Sequence, residues 1–169
     1  MASPPSHKLR VMVDANVLIS GVVWPRWPYE ILKDARQRRI ELVLCPFIIE
    51  QAYRNVQKYF PDSLPYLGEV LALCDYTEVA DPSLEEVDAQ VELMRDPTDI
   101  PIAVAAINAQ VDCFITTDKD FTDKVPENQQ LQQKLLIMLP GTFLREYMGW
   151  TSEQLEALRG RDWEDLQGA

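Results

Sequence analysis

Four carboxylic acids stand where this chain turns from a strand into a helix, or where it opens a helix. They are Asp14, Glu50, Asp99 and Asp118, with Asp96 and Asp120 close by in sequence. In a parallel α/β sheet the carboxyl ends of strands and the amino ends of helices share one edge, and that edge carries ligand sites. The spacing therefore predicts that Asp99 and Asp118 meet. Two carboxylates about 4 Å apart repel by roughly 4 kcal/mol at an effective dielectric near 20. A cluster of them needs a proton or a cation to be tolerated. Oxygen donors without a nearby histidine or cysteine select hard ions such as Mg²⁺ or Mn²⁺. The chemistry that follows is metal-assisted phosphodiester hydrolysis. A Ser–His or Cys–His nucleophile pair is excluded, because the single histidine, His7, sits in the amino-terminal segment.

Each acid also has a simpler role. Asp99 can cap a helix, Asp118 and Asp120 can be turn residues, and Asp112 and Asp123 fit that role alone. Glu50 by itself reads as an exposed helix acid. Asp14 resists such a reading, since Val11-Met12-Val13-Asp14 places it at the end of a buried strand. No acid is specific alone; their joint placement is.

The elements that must position them alternate. Leu9 to Val13 reads as a strand followed by a short apolar helix, and Pro28 opens a helix to about Arg39. Glu41 to Cys45 is the second strand, and Pro46 starts the helix that carries Glu50. Leu64 to Leu73 is a helix and Tyr76 to Val79 a brief strand. Ser83-Leu84-Glu85-Glu86 forms a capping box for a helix to Met94. Thr98 or Asp99 then caps a helix whose Pro101 falls in the first turn. Its Ile102, Ala103, Ala105, Ala106, Ile107 and Ala109 leave almost no polar face, so it should be deeply buried. Cys113 to Thr116 is a buried strand, 124–133 a polar connection, and Leu135 to Met138 the last strand. Thr142 caps a helix through Met148, Thr151-Ser152-Glu153-Gln154 opens another, and 162–166 reads as an addition whose Trp163 packs on the body or on a partner. About five such alternations argue a doubly wound three-layer α/β/α fold with a mainly parallel sheet. No Gly-rich loop follows the first strand, which argues against a dinucleotide or P-loop site.

With 169 residues, 47% hydrophobic and 25% charged, the chain fits one domain with a real core. Cys45, Cys74 and Cys113 show no metal-type spacing and read as reduced core thiols. The amino terminus lacks the apolar run of a secretion signal, and no apolar run is long enough to span a bilayer, so a cytoplasmic protein is expected. The net charge of −11 argues against non-specific nucleic-acid binding, unless metal ions and a local basic patch neutralise phosphate.

Val13-Asp14-Ala15-Asn16-Val17-Leu18-Ile19-Ser20, Ile49-Glu50, Asp96-Pro97-Thr98-Asp99 with its alanine-rich helix, and Ile115-Thr116-Thr117-Asp118-Lys119-Asp120-Phe121 together resemble a PIN domain. The nearest flavour is the VapC-like toxin component of bacterial toxin–antitoxin pairs. The resemblance covers about 8–148, with 1–7 as a flexible tail and 149–169 as a C-terminal helical extension outside it. It implies a metal-dependent endoribonuclease that cleaves single-stranded RNA with Mg²⁺ or Mn²⁺, is often a homodimer, and is inhibited by a cognate antitoxin. By motif, Asp14, Glu50, Asp99 and Asp118 match the acidic catalytic quartet, with Asp96 and Asp120 as further metal candidates. Asn16 and Thr116 match supporting positions, Thr116 as the hydroxyl that orients a carboxylate or phosphate. Lys8, Arg10, Arg36, Arg38, Arg39, Lys119 and Lys124 are the phosphate contacts that can be named. Two other readings stand beside it. One is a PIN fold used for binding or assembly with little catalysis. The other is a receiver-type phosphotransfer domain, which the single acid after the first strand disfavours.

Overall fold

The computed structural model describes residues 8–167; the expected tail, with His7, lies outside the described residues. The first half of the chain forms β1 (Arg10–Val13), α1 (Ala15–Val23), α2 (Trp27–Arg36), β2 (Glu41–Leu44), α3 (Pro46–Tyr59), α4 (Leu64–Cys74), β3 (Thr77–Glu78) and α5 (Leu84–Asp88). The second half forms α6 (Ile100–Asn108), β4 (Cys113–Ile115), α7 (Lys119–Thr122), α8 (Gln129–Lys134), β5 (Ile137–Met138), α9 (Pro140–Met148), α10 (Ser152–Leu158) and α11 (Trp163–Gln167).

The five strands make one sheet in the order β3-β2-β1-β4-β5, every neighbouring pair parallel. Helices flank it, as the alternating pattern requires. Val11, Met12, Val13, Val43, Leu44, Phe114 and Ile115 are fully buried, which matches their near-continuous apolar runs. The chain leaves β1 toward β2 and β3, then crosses back to place β4 on the other side of β1. The switch point of the topology therefore lies between β1 and β4, where open α/β sheets form their crevice. β1 leads to Asp14 and β4 to Thr116 and Asp118, so the strand order alone delivers these residues to that crevice.

The helix around Asp99 is as apolar as its sequence suggests. Ile100 and Ile102 to Ala106 are buried, and a 3-10 turn over Pro97–Asp99 leads into it. Asp96 caps this turn through its side chain, and Asp99 stands at the N-cap position of α6, as expected, without a side-chain capping hydrogen bond. Both expected capping boxes are present, Ser83 with Glu86 and Thr151 with Gln154. Three expectations need correction. The helix from Ser83 stops at Asp88, not Met94, because tight turns then bury the adjacent Leu93 and Met94 together. The polar connection contains α8, held where periodicity gives no sign: Gln132 Nε2 donates to the carbonyls of Phe121 and Asp123, and Asn128 Nδ2 also donates to Asp123. Finally, α9 begins at Pro140 after Leu139, so Thr142 lies inside it and is not its cap.

The segment after α9 folds back on the start of α2. Trp27 Nε1 donates to the Leu155 carbonyl at 2.7 Å, and Trp163 Nε1 donates to the Val23 carbonyl at 2.8 Å. Trp163 also meets Tyr29 edge-on at 5.4 Å. Arg161 donates to the Pro25 carbonyl at 2.6 Å and to the buried Glu30 at 3.4 Å. Removing the guanidinium would leave Glu30 buried with only Lys33 at 4.0 Å. Arg161→Ala is therefore expected to lower stability by about 3 kcal/mol in denaturant unfolding, the cost of breaking a largely buried ion pair.

Candidate active site

Asp14 follows β1 and caps α1. Its backbone N–H donates to the Ile115 carbonyl at 2.9 Å, which locks the end of β1 to β4. Its carboxylate is buried: Oδ1 accepts from the Ala15 N–H at 2.7 Å, and Oδ2 accepts from the Thr116 hydroxyl at 2.9 Å. That same hydroxyl accepts the Asp118 N–H at 3.0 Å. Thr116, fully buried, thus ties the first acid to the backbone of another across two neighbouring strands. Asp118 in turn caps the one-turn α7 through the Asp120 N–H at 2.9 Å.

Asp99 enters from the start of α6. Burial, followed by the charges of Asp118, Asp96, Asp14 and Asp120, pushes its carboxyl up to about 7. Five acids named from sequence are thereby brought to one place. Burial also raises the Asp14 carboxyl, partly offset by the Thr116 and Ala15 hydrogen bonds, with Asp118 raising it further. Asp96 behaves oppositely. The Thr98 N–H and hydroxyl, at 3.0 and 2.8 Å, hold its carboxyl below the usual range.

Glu50 stands outside this group. It projects from α3, largely exposed, and pairs with Arg54 at 2.6 Å, while lining a cavity that Thr98 also lines. Asn16 is exposed in the first turn of α1. Among the cations named from sequence, Arg10, Arg36, Arg38 and Arg39 lie just before or at the start of β1 and β2, at the opposite sheet edge, and Lys8 precedes β1. Lys119, at the start of α7, and Lys124, just after it, are exposed. Sequence reasoning missed Arg95, which donates to Asp120 at 2.7 Å, and Arg54. Their signals were present: Arg95 directly precedes Asp96, and Arg54 is four residues after Glu50.

The cluster suits a hard cation. Asp96, Asp99 and Asp120 each offer an oxygen, and these oxygens lie within 4.8 Å of one another. Oxygens about 2.1 Å from one Mg²⁺ stand at most about 4 Å apart, so small side-chain shifts would close the set. Asp99 Oδ2 is buried with no hydrogen-bond partner among the described residues. A buried carboxylate oxygen without a donor is costly, and a cation satisfies it.

The PIN domain family profile matches residues 10–120, well over half of the chain. The chain belongs to the PIN domain family. No curated protein matches it in sequence. Among solved structures it is similar to PAE2754 from Pyrobaculum aerophilum, at 18% identity and a TM-score of 0.59, covering 84% of this chain and 97% of that one. It is also similar to VapBC2 from Rickettsia felis, solved bound to a DNA fragment from its promoter, at 14% identity and a TM-score of 0.56, covering 78% and 98%. At these identities the likeness concerns the fold. PIN domains are generally nucleases that use divalent metals, and this chain carries one cluster of three acids among its described residues.

The electrostatics have a consequence for stability. In the unfolded chain Asp99 titrates near 3.8, and in the folded one near 7. Such a group stabilises the fold only while protonated, so its contribution is lost as pH rises from about 4 to 7. Asp99→Asn should therefore stabilise the metal-free protein at pH 8 by about 1–2 kcal/mol, after discounting for solvent contact. Thermal unfolding in EDTA should show the gain at pH 8 and little difference at pH 4.

Proposed function

We propose that this PIN domain is a divalent-metal-dependent endoribonuclease that hydrolyses phosphodiester bonds in single-stranded RNA, and that it acts as the toxin of a toxin–antitoxin pair. The observation that carries the reading is the donorless buried oxygen of Asp99, set among carboxylates at the crevice between β1 and β4. Groups that repel one another in a fixed frame are retained at a cost, and perturbed acids in a crevice mark function.

Asp99, Asp96 and Asp120 would hold Mg²⁺ or Mn²⁺, with Asp14 and Asp118 completing the shell. Bound there, the ion supplies Lewis-acid activation of water and neutralises charge on the scissile phosphate. The chain does the rest. Thr116 fixes the Asp14 carboxylate through its hydroxyl and so sets the geometry of the inner acids. Asp99, poised near neutrality, holds a proton when the site lacks charge compensation and gives it up when compensation arrives. Glu50, which stands outside the cluster and pairs with Arg54, would add a further catalytic acid from α3, and Asn16 would support Asp14 from the first turn of α1. Arg54 offsets the charge of Glu50 and Arg95 that of Asp120, in a chain whose net charge would otherwise repel RNA.

The fold likeness to VapBC2 supports an antitoxin partner, and the toxin reading carries with it a homodimer and a cytoplasmic location. The described residues contain no helix long and apolar enough to cross a membrane. A second reading, a PIN fold used for binding or assembly with little catalysis, is favoured by the charge of −11.

Labelled single-stranded RNA incubated with Mn²⁺, Mg²⁺ or EDTA separates the two. The nuclease reading expects metal-dependent cutting that Asp14→Asn and Asp99→Asn abolish while the fold persists. Cutting that survives both substitutions would sink it, and no cutting in any metal would favour the binding module. Thr116→Val, which keeps the shape and deletes the hydroxyl, should lower cleavage about 10–100-fold, as loss of an orienting partner does. Unchanged kinetics would show that Thr116 does not position Asp14.

A further inference from the structure

Beside the acidic cluster a cleft of about 240 Å³ runs between α3 and the segment leading into α6. One wall is a single face of α3, since Phe47, Glu50, Gln51 and Arg54 follow the spacing of successive helical turns. The opposite wall is Thr98, Pro101 and Ile102. Thr98 lies between Asp96 and Asp99 in the chain and donates its hydroxyl to Asp96, so the cleft adjoins the cluster. Phe47 is 43% exposed, an unusual setting for a phenylalanine in the first turn of a helix. Its position is nonetheless fixed: Pro46 opens the helix, and the Phe47 N–H donates to Asp81 at 3.0 Å.

We infer that this cleft receives an unpaired nucleobase of the substrate strand, stacked on the Phe47 ring. The inference rests on the nuclease reading above, which it deepens by naming the base-binding residues. A slot whose apolar surface is bordered by the polar side chains of α3 and Thr98 suits a flat heteroaromatic ligand with a hydrogen-bonding edge. Pro101 and Ile102 supply the apolar wall, and the Gln51 amide offers both a donor and an acceptor to a base edge. The Arg54 guanidinium carries five N–H donors, so its contact with Glu50 leaves capacity for a base or the adjoining phosphate. A base inside a duplex cannot reach such a slot, whereas a splayed single strand can. Stacking also gives an acidic protein an attachment that does not depend on its net charge.

The test measures binding of a fluorescent single-stranded RNA in EDTA, beside the same sequence as DNA, to the wild type, Phe47→Ala and Phe47→Trp. A set of RNAs with one abasic position each is included. Metal-dependent cleavage is measured separately with the same proteins. Phe47→Ala should weaken binding about 10–100-fold and raise KM while leaving thermal stability unchanged; Phe47→Trp should restore both. One abasic position should reproduce the loss in the wild type and add nothing in Phe47→Ala. Equal loss with RNA and DNA assigns the cleft to the base itself, and loss with RNA alone assigns it to a ribose-dependent pose. Unchanged affinity in Phe47→Ala, an abasic penalty that persists in that variant, or a wild type that binds no single strand overturns the inference. Binding that behaves as expected without cleavage in any metal would sink the nuclease reading and leave the cleft standing. Cleavage with unchanged KM in Phe47→Ala would do the reverse.

Discussion

The hydroxyl of Thr116 joins two acids that would otherwise push apart. It donates to Asp14 and accepts from the Asp118 backbone, and it can do both only because β1 and β4 run parallel in register, Val13 beside Ile115. The hydrogen bond from the Asp14 N–H to Ile115 seals the same junction. Everything else at the site is arranged around this pair. The buried α6 delivers Asp99, the 3-10 turn before it delivers Asp96, and the single turn of α7 delivers Asp120. The apolar core is what makes repulsion tolerable, because strands buried on both faces cannot drift apart to relieve it. Elsewhere in the interior one other acid, Asp34, is pushed up to about 6 by burial and pairs with Arg39 at 3.5 Å. Burial pushes the Cys113 thiol up to about 12 and those of Cys45 and Cys74 to about 11, so the buried free cysteines act as small apolar side chains.

The energetics of the fold and those of the site oppose one another at Asp99. Its carboxyl would be easier to accommodate as an amide, yet an amide would offer a cation no charge. Proteins retain such strain where function needs it. The same tension shapes the rim. Arg54 pairs with the exposed Glu50 and Arg95 with Asp120, itself one of the three clustered acids, which moderates the local field.

Much of this was legible in the sequence. A strand ending at Asp14, a helix beginning near Asp99 and a strand preceding Asp118 suffice to bring those acids together, because the edge rule depends on element order and not on detail. The ranking among acids was less legible. Asp96 and Asp120 share the tightest oxygen set with Asp99, yet their nearness depends on two single-turn elements that carry no periodic signal. Glu50 by itself read as an exposed helix acid, which it is; its pairing with Arg54 and its separation from the other acids were not visible. Helix α8 escaped for a similar reason. It is anchored by amide hydrogen bonds to carbonyls, which leave no hydrophobic pattern. The closing segment looked like an addition, and its docking through Arg161 and Trp163 rests on contacts more than a hundred residues apart in sequence.

The proposed divalent-cation site is built from carboxylates held together beyond the ends of β1 and β4. Calorimetric titration of Mn²⁺ into the metal-free protein at pH 6 and pH 8 tests it most directly. With the Asp99 carboxyl near 7, binding should be about tenfold tighter at pH 8 and should release protons at pH 6, and Asp99→Asn should weaken binding and remove that dependence. No binding at either pH, or binding of equal strength at both that survives in Asp99→Asn, would contradict it.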